Sequence, residues 1–246
     1  MRKLIVNDKY PYAYETHLHT NQGSACGKNT GAEMARACKE AGYTGIIVTD
    51  HFFYGNTCVD RNLPWSDWVE GYTKGYESAR EMGDKIDLQV FFGWEASYEG
   101  NDFLVYGLDK QWLLSHPEIR DASVKEQYEL VHRDGGVIIH AHPFREEFYI
   151  PKVRLFPEWV DGVEVLNASH MVKFPEECGS SVFDRRALEY ANEYHFPQIG
   201  GSDIHDVNLI GGGTAFTRKL TDIHDFARAI LKEERLVLPG LSGMTE

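Results

Sequence analysis

His17 and His19 stand one residue apart in "ETHLHT". On a strand, alternation carries both imidazoles to one face, and a neutral imidazole is a common metal ligand. Similar residues recur along the chain: Asp50 and His51 in "TDH", Glu95 in "GWE", His140 and His142 in "HAHP", Asp203 and His205 in "GSDIH". Imidazole and carboxylate without clustered cysteine suit Zn, Mn or Fe rather than a thiolate zinc knot. The candidate ligands outnumber what one ion can use, so a carboxylate such as Glu95 could bridge two. A centre of that kind polarises a phosphoryl oxygen and lowers the pKa of a bound water, with no protein nucleophile needed.

The elements that must hold these residues are short apolar runs alternating with helical stretches. Strands are expected at 44–49, 87–94, 102–108, 137–140, 162–166 and 197–201. Helices are expected at 31–42, 65–83 (Ser66 as cap, Gly83 as stop), 123–136, 182–195 and 220–233. This alternation predicts parallel βα units. The polar residues track the strand ends: His17 and His19, then Asp50–His51, Glu95, His140 and His142, Asn167, and Asp203 with His205. In a barrel of parallel strands those ends converge on one face. Singly, each motif is as well explained by a turn, a cap or a satisfied buried histidine; jointly they point to a metal site. His116, His132, His195 and His224 fall away from these ends, and His170 is left open.

The chain has 246 residues, 42% of them hydrophobic, which is enough for a substantial core, and no internal division is visible, so a single domain over 1–246 is expected. Its net charge of −13 disfavours binding to a nucleic acid polymer, which depends on cationic neutralisation of phosphates. Metal cations could still bring a phosphorylated small molecule to an acidic protein. No apolar run approaches the ~20 residues of a membrane helix, and the start has no signal-peptide pattern. Cys26, Cys38, Cys58 and Cys178 show no paired spacing and read as reduced thiols of a cytoplasmic protein.

Taken in order, "HLHT", "TDH", "GWE", "AHP" and "GSDIH" resemble the signature of the PHP (polymerase and histidinol phosphatase) family, from about residue 15 to 205. The resemblance implies a distorted (β/α)7 TIM-like barrel, two or three divalent ions and phosphoester hydrolysis. It implies that His17, His19, Glu95 and Asp203 hold one ion, that Glu95 bridges to a second held by His142, and that His51 and His205 hold a third. Asp50 would orient an imidazole. Relatives often carry an Asp or His shortly after the HxH pair and a His on the strand after the bridging Glu. Here those regions read "TNQGSACGKN" and "GNDFLVYG", so Asp102, His140 and Cys26 are the candidates to take these places.

Arg145 in "HPFR" closely follows a ligand strand, where a guanidinium can grip phosphate bidentately. Lys28 is a second candidate. The aromatic segment 52–68 could wall the site or simply pack. The expected activity is metal-dependent hydrolysis of a small phosphomonoester, with Glu95, Asp50 and Arg145 as its working residues. A non-phosphate hydrolase of amidohydrolase type and a non-catalytic metal-binding barrel are the alternatives.

Overall fold

A computed structural model describes Leu4, residues 6–173 and residues 181–239; Cys178 lies outside the described residues. The strands form two mixed five-stranded sheets. The first contains β1 (Tyr12–Leu18), β2 (Gly45–Val48) and β3 (Gln89–Phe92) in parallel. It is extended by β9 (Gly212–Phe216), antiparallel to β1, and β10 (Arg235–Pro239), antiparallel to β9. The second runs β4 (Trp94–Tyr98), β5 (Asn101–Tyr106), β6 (Val137–Ala141), β7 (Gly162–Asn167), β8 (Gln198–Gly201). Its β4–β5–β6 pairs are antiparallel and its β6–β7–β8 pairs parallel. The sheets meet at isolated bridges between Leu18 and Ile204 and between His51 and Glu95.

The expected ring of parallel strands therefore gives way to two mixed sheets, with no closed barrel among the described residues. The reason is local. Glu99 (φ 52°) and Gly100 (φ 79°) make a two-residue turn between β4 and β5, too short for the crossover a parallel partner needs. Gly93 also splits the expected strand 87–94, so Glu95 sits inside β4 rather than after a strand end.

Helix α1 (Gly31–Ala41) starts at a capping box of Thr30 and Glu33 and stops at Gly42, whose φ of 104° suits only glycine well. It buries Met34, Ala35 and Cys38 against the first sheet. The single helix expected at 65–83 is two, α2 (Trp65–Tyr72) and α3 (Lys74–Ile86), interrupted at Thr73. Ser66 is not the cap, and the stop is Asp87 in the left-handed region (φ 54°), not Gly83. Glycines at this break permit close approach: a Cβ on Gly75 would stand 2.0 Å from Thr20 Oγ1, and one on Gly31 would stand 2.0 Å from the Gly75 carbonyl. The helix pair thereby presses on the loop after β1.

The remaining helices are α4 (Lys110–Ser115), α5 (Val124–Arg133), α6 (Ala168–Lys173), α7 (Val182–Glu193) and α8 (Ile223–Lys232). One face of α8 adds Phe226 and Ile230 to the core that Tyr14, Leu104, Tyr106, Ile139 and Phe216 form between the sheets. The segment 52–68 packs rather than lids: Phe52, Phe53, Trp65 and Trp68 join Tyr72 and Trp94 in an aromatic layer. No helix of the described residues is long and apolar enough to cross a membrane.

Candidate metal centre

At the end of β1 the register with β2 shifts between Glu15 and Leu18. His17 and His19 end up with their ring centroids 5.1 Å apart, both fully buried. Three groups with metal-ligand spacing lie there: His17, His19 and Asp203; His17, Glu95 and His142; His19, His51 and His205. Within each, one ligand atom per residue lies within 4.8 Å of the others. Glu95 is central. Its Oε1 is 3.2 Å from His17 Nε2 and 3.1 Å from His142 Nε2, and its Oε2 is 2.5 Å from His51 Nδ1. Asp203 Oδ1 lies 3.2 Å from His19 Nε2 and 3.5 Å from His205 Nδ1. His142 and Asp203 occupy left-handed backbone, with φ of 29° and 54°, a strained setting for non-glycine residues that aims their side chains inward.

The electrostatics keep the carboxylates charged. Burial would raise Glu95, but His51 and His17 outweigh it and hold the carboxyl well below its usual range. Burial is likewise outweighed at Asp203, by Arg145, His17 and His205. Burial, together with His51 and His205, pushes His19 well below the ordinary imidazole range.

Bonds behind the cluster fix which ring nitrogen faces it. His17 Nδ1–H donates to Glu164 Oε1 (3.0 Å), leaving Nε2 as the inward lone pair. His19 Nδ1 meets Ser24 Oγ at 3.2 Å, and Ser24 donates to Asp50 Oδ1 (2.7 Å). Ser24 also accepts the His51 backbone N–H (2.9 Å), and Asp50 accepts Thr20 N–H (2.6 Å). Asp50 thus orients His19 and His51 through Ser24 rather than touching an imidazole. Burial raises it to about 6 against those hydrogen bonds. Four buried atoms on the inner side, His17 Nε2, His19 Nε2, His51 Nδ1 and Glu95 Oε2, make no well-aligned hydrogen bond and instead crowd against one another and Asp203. Buried polar atoms are rarely left so, and a divalent cation is the group that satisfies imidazole and carboxylate lone pairs together. The donor set therefore fits metal ions.

Seven sequence candidates come together here: His17, His19, His51, Glu95, His142, Asp203 and His205. Asp102 borders them, its Oδ2 3.9 Å from His142 Nε2. Cys26, a free half-buried thiol, also borders them. Burial would raise it, but hydrogen bonds to His205 and His51 hold it at about 6. Arg145 is no surface residue paired with its neighbouring glutamates. It is 7% exposed, and its Nη2 bonds Asp203 Oδ2. Glu146 pairs instead with Arg186 (2.8 Å).

Two candidates lie apart. Lys28 is 70% exposed, with its ammonium 3.5 Å from Asp206. His140 stacks on Phe103 (centroids 5.0 Å, planes 9° apart) in the aromatic layer, where burial lowers it to about 3. Alternation along β6 sends Ile138 and His140 to that layer. The positive φ at His142 breaks the alternation and turns its ring to the cluster.

Glu164, Glu15 and Asn167 also carry this site. Glu164 holds His17, the His142 N–H (3.1 Å) and Asn167 Nδ2 (3.1 Å). Glu15 accepts the His17 N–H (3.0 Å) and both the N–H and the hydroxyl of Ser202. The signal for both is a carboxylate inside an apolar strand run, "GVEVL" and "YAYETHL".

Two family descriptions match the chain: PHP domain over residues 15–182 and PHP-associated over 184–234. No curated protein matches it. Among solved structures, the chain resembles a two-domain Bacteroides vulgatus protein containing a predicted PHP-like metal-dependent phosphoesterase (14% identity, TM-score 0.67, covering 96% of this chain and 67% of that one). It also resembles a Bifidobacterium adolescentis protein likewise inferred to be a metal-dependent phosphoesterase (16%, TM-score 0.53, 89% and 95%) and PsfC of Pseudomonas syringae (16%, TM-score 0.58, 88% and 87%). At these identities the likeness speaks for the fold. The family match spans more than half the chain and contains every buried member of the cluster except Asp203, which the PHP-associated segment supplies together with His205: this chain belongs to the PHP domain family.

Proposed function

We propose that the chain is a metal-dependent phosphoesterase acting on a small phosphomonoester. The observation that carries this reading is the set of four buried, converging ligand atoms that make no well-aligned hydrogen bond, with an arginine beside them. Two solved structures of similar fold are themselves inferred to contain or to be metal-dependent phosphoesterases. His17, His19, Glu95 and Asp203 would hold one ion; Glu95 and His142, with Asp102 alongside, a second; His51 and His205, with Cys26 alongside, a third. Zn, Mn or Fe suits this donor set. When bound, such ions neutralise phosphoryl charge and make water a usable nucleophile near neutral pH.

The chain's own residues do the rest. Glu164 and the Asp50–Ser24 pair hold His17 and His19 in the tautomer that offers Nε2 inward. Glu95 offers one oxygen to each side of the centre and keeps both charged. Arg145 spends Nη2 on Asp203 and Nε on His170 (3.0 Å), so its Nη1 has no protein acceptor among the described residues and is available to a phosphoryl oxygen. Lys28 at the rim would add long-range attraction only. Because Asp203 and His205 come from the PHP-associated segment, the two matched segments would act as one domain.

The test is turnover of p-nitrophenyl phosphate by purified protein, stripped with chelator and reloaded with Mn or Zn. Activity that vanishes on stripping and returns on reloading supports the reading. A fully loaded protein that hydrolyses no phosphoester but cleaves an amide or lactone would replace it with the amidohydrolase alternative; inertness toward both would leave a metal-binding module.

A further inference from the structure

Arg145 is held by more than Asp203. Its Nε–H donates to His170 Nε2 (3.0 Å), and His170 Nδ1–H donates to Asp184 Oδ1 (2.8 Å). All four residues, Asp184, His170, Arg145 and Asp203, are buried, with exposures of 6%, 1%, 7% and 1%. The far end of this chain is anchored as well. Asp184 Oδ1 also accepts the Asn167 N–H (3.2 Å), and Ser181 Oγ accepts the N–H of Phe183 (3.0 Å) at the start of α7.

We propose that Asp184 and His170 are positioning residues that lock the Arg145 guanidinium in the orientation that receives a phosphoryl group. The proposal rests on the phosphoesterase reading above. A guanidinium presents five N–H groups in a rigid fork, and its value for phosphate lies in the direction of that fork. Asp203 alone fixes one edge and leaves the group free to pivot about that contact. A second acceptor at Nε removes the pivot and aims Nη1 away from both partners. His170 can accept there only with Nε2 unprotonated. Asp184 on Nδ1 selects that tautomer, and burial favours the neutral ring. The same geometry argues against His170 as a proton donor to a leaving group, since its Nε2 is already occupied as an acceptor. The assignment also explains a buried histidine on α6 whose two ring nitrogens both bond residues outside the candidate ligand set, Arg145 and Asp184, while its ring edge packs on His142 (centroids 6.3 Å).

The experiment compares wild type with His170→Phe, which keeps a flat ring and removes the acceptor, and His170→Gln, whose amide oxygen can accept from Nε. Metal equivalents, the inhibition constant of inorganic phosphate, and KM and kcat on p-nitrophenyl phosphate are measured for each. Expected for His170→Phe are unchanged metal content, phosphate inhibition and KM weakened about tenfold, the loss typical of one hydrogen bond to a charged group, and kcat within about threefold. His170→Gln should recover most of the loss. If His170→Phe does not fold, Asp184→Asn should shift phosphate affinity in the same direction by a smaller factor.

Phosphate affinity equal to wild type in a folded, fully loaded variant overturns the proposal. So does a fall confined to kcat that Gln fails to rescue, which would mark a proton donor. Calorimetry of inorganic phosphate with the metal-loaded wild type separates the two readings. Phosphate binding that depends on His170, in a protein that hydrolyses no ester, would sink the phosphoesterase and leave the positioning pair; a wild type that binds no phosphate sinks the pair.

Discussion

Two regions of this molecule gather charge, and they differ in what they leave undone. At the junction of β9 and α8, Arg218 forks onto Asp225 (2.6 and 2.8 Å) and reaches Glu233 through Nε (3.1 Å) and Nη2 (2.6 Å). Thr221 N–H and the Asp222 cap complete the bonding of that turn. Every strong donor there meets an acceptor inside the protein. At the candidate centre, Glu95, Asp203 and Glu164 are buried among imidazoles, and four inward atoms make no well-aligned hydrogen bond. The first network is closed and ties β9 to a helix; the second is open and asks for cations. The lesson is that leftover bonding capacity, not charge or burial, distinguishes a binding centre from a brace. The aromatic layer makes the same point from another side. His140 and the Trp68 and Trp94 indoles also have unpartnered nitrogens there, but these stand singly among neutral rings rather than facing one another.

The largest effect should come from breaking the open network. Glu95→Gln keeps shape and burial but removes the charge shared by His17, His51 and His142. It should lower metal-dependent turnover more than ~100-fold, beyond what loss of a supporting contact does, and should cost at least one metal equivalent by elemental analysis. His140→Phe, two residues from His142, should leave metal content and turnover within about twofold. Equal losses from the two substitutions would mean that the centre is misplaced.

Next is the packing that holds the HxH loop. Gly75→Ala would put a methyl 2.0 Å from Thr20 Oγ1 and 2.8 Å from Asp50 Oδ2. Overpacking of this kind typically costs ~1–3 kcal/mol. Because Thr20 and Asp50 orient Ser24 and thus His19, metal affinity should fall along with the urea midpoint. Gly42→Ala, at a helix stop with open space around it, should cost stability alone, about 1 kcal/mol from its left-handed backbone. A Gly75→Ala protein with wild-type metal affinity would separate the contact of α3 with Thr20 and Asp50 from the site.

Much of the candidate centre was legible in the sequence because most of its candidate ligands follow apolar runs at strand ends, and seven candidates do meet. The parts that were not legible share a cause: they depend on backbone geometry or on partners distant in sequence. His140 and His142 look alike in "HAHP", but one unusual φ separates a core histidine from a candidate ligand. Arg145 reads from the sequence as a phosphate grip, but the partners that fix its guanidinium, Asp203 and His170, lie 58 and 25 residues away and are not visible there. The antiparallel β4–β5 pair was signalled by "SYEGND", whose Glu–Gly turn is incompatible with a crossover. β9 and β10 were missed because "GGTAF" is glycine-rich and "RLVLP" is short. Lys28 shows the opposite error: proximity to the HxH loop in sequence put it near the site, but its side chain points to solvent.

Breaking the closed network should have the smallest effects and no effect on metal. Arg218→Ala leaves Asp225, 5% exposed, without its fork and should cost about 1–2 kcal/mol of stability, held down by the solvent screening of a guanidinium that is 41% exposed. Its acid dependence sharpens the contrast further. The Arg218 hydrogen bonds are the largest influence on Asp225 and hold its carboxyl below the ordinary range. Between the folded value and the ordinary unfolded value near 4, the unfolded chain binds a proton that the folded chain does not, so this contribution is present above about pH 4 and lost as pH falls below it. Screening at Arg218 limits it to on the order of 1 kcal/mol, and added salt should shrink it. The measurement is urea unfolding of metal-free wild type and Asp225→Asn at pH 6 and pH 3.5, in low and high salt. The stability gap between the two proteins should narrow on acidification and in high salt. A gap that stays constant across both would show that Asp225 acts through its uncharged bonds to Thr221 and the helix start, and that the brace owes little to its ion pair.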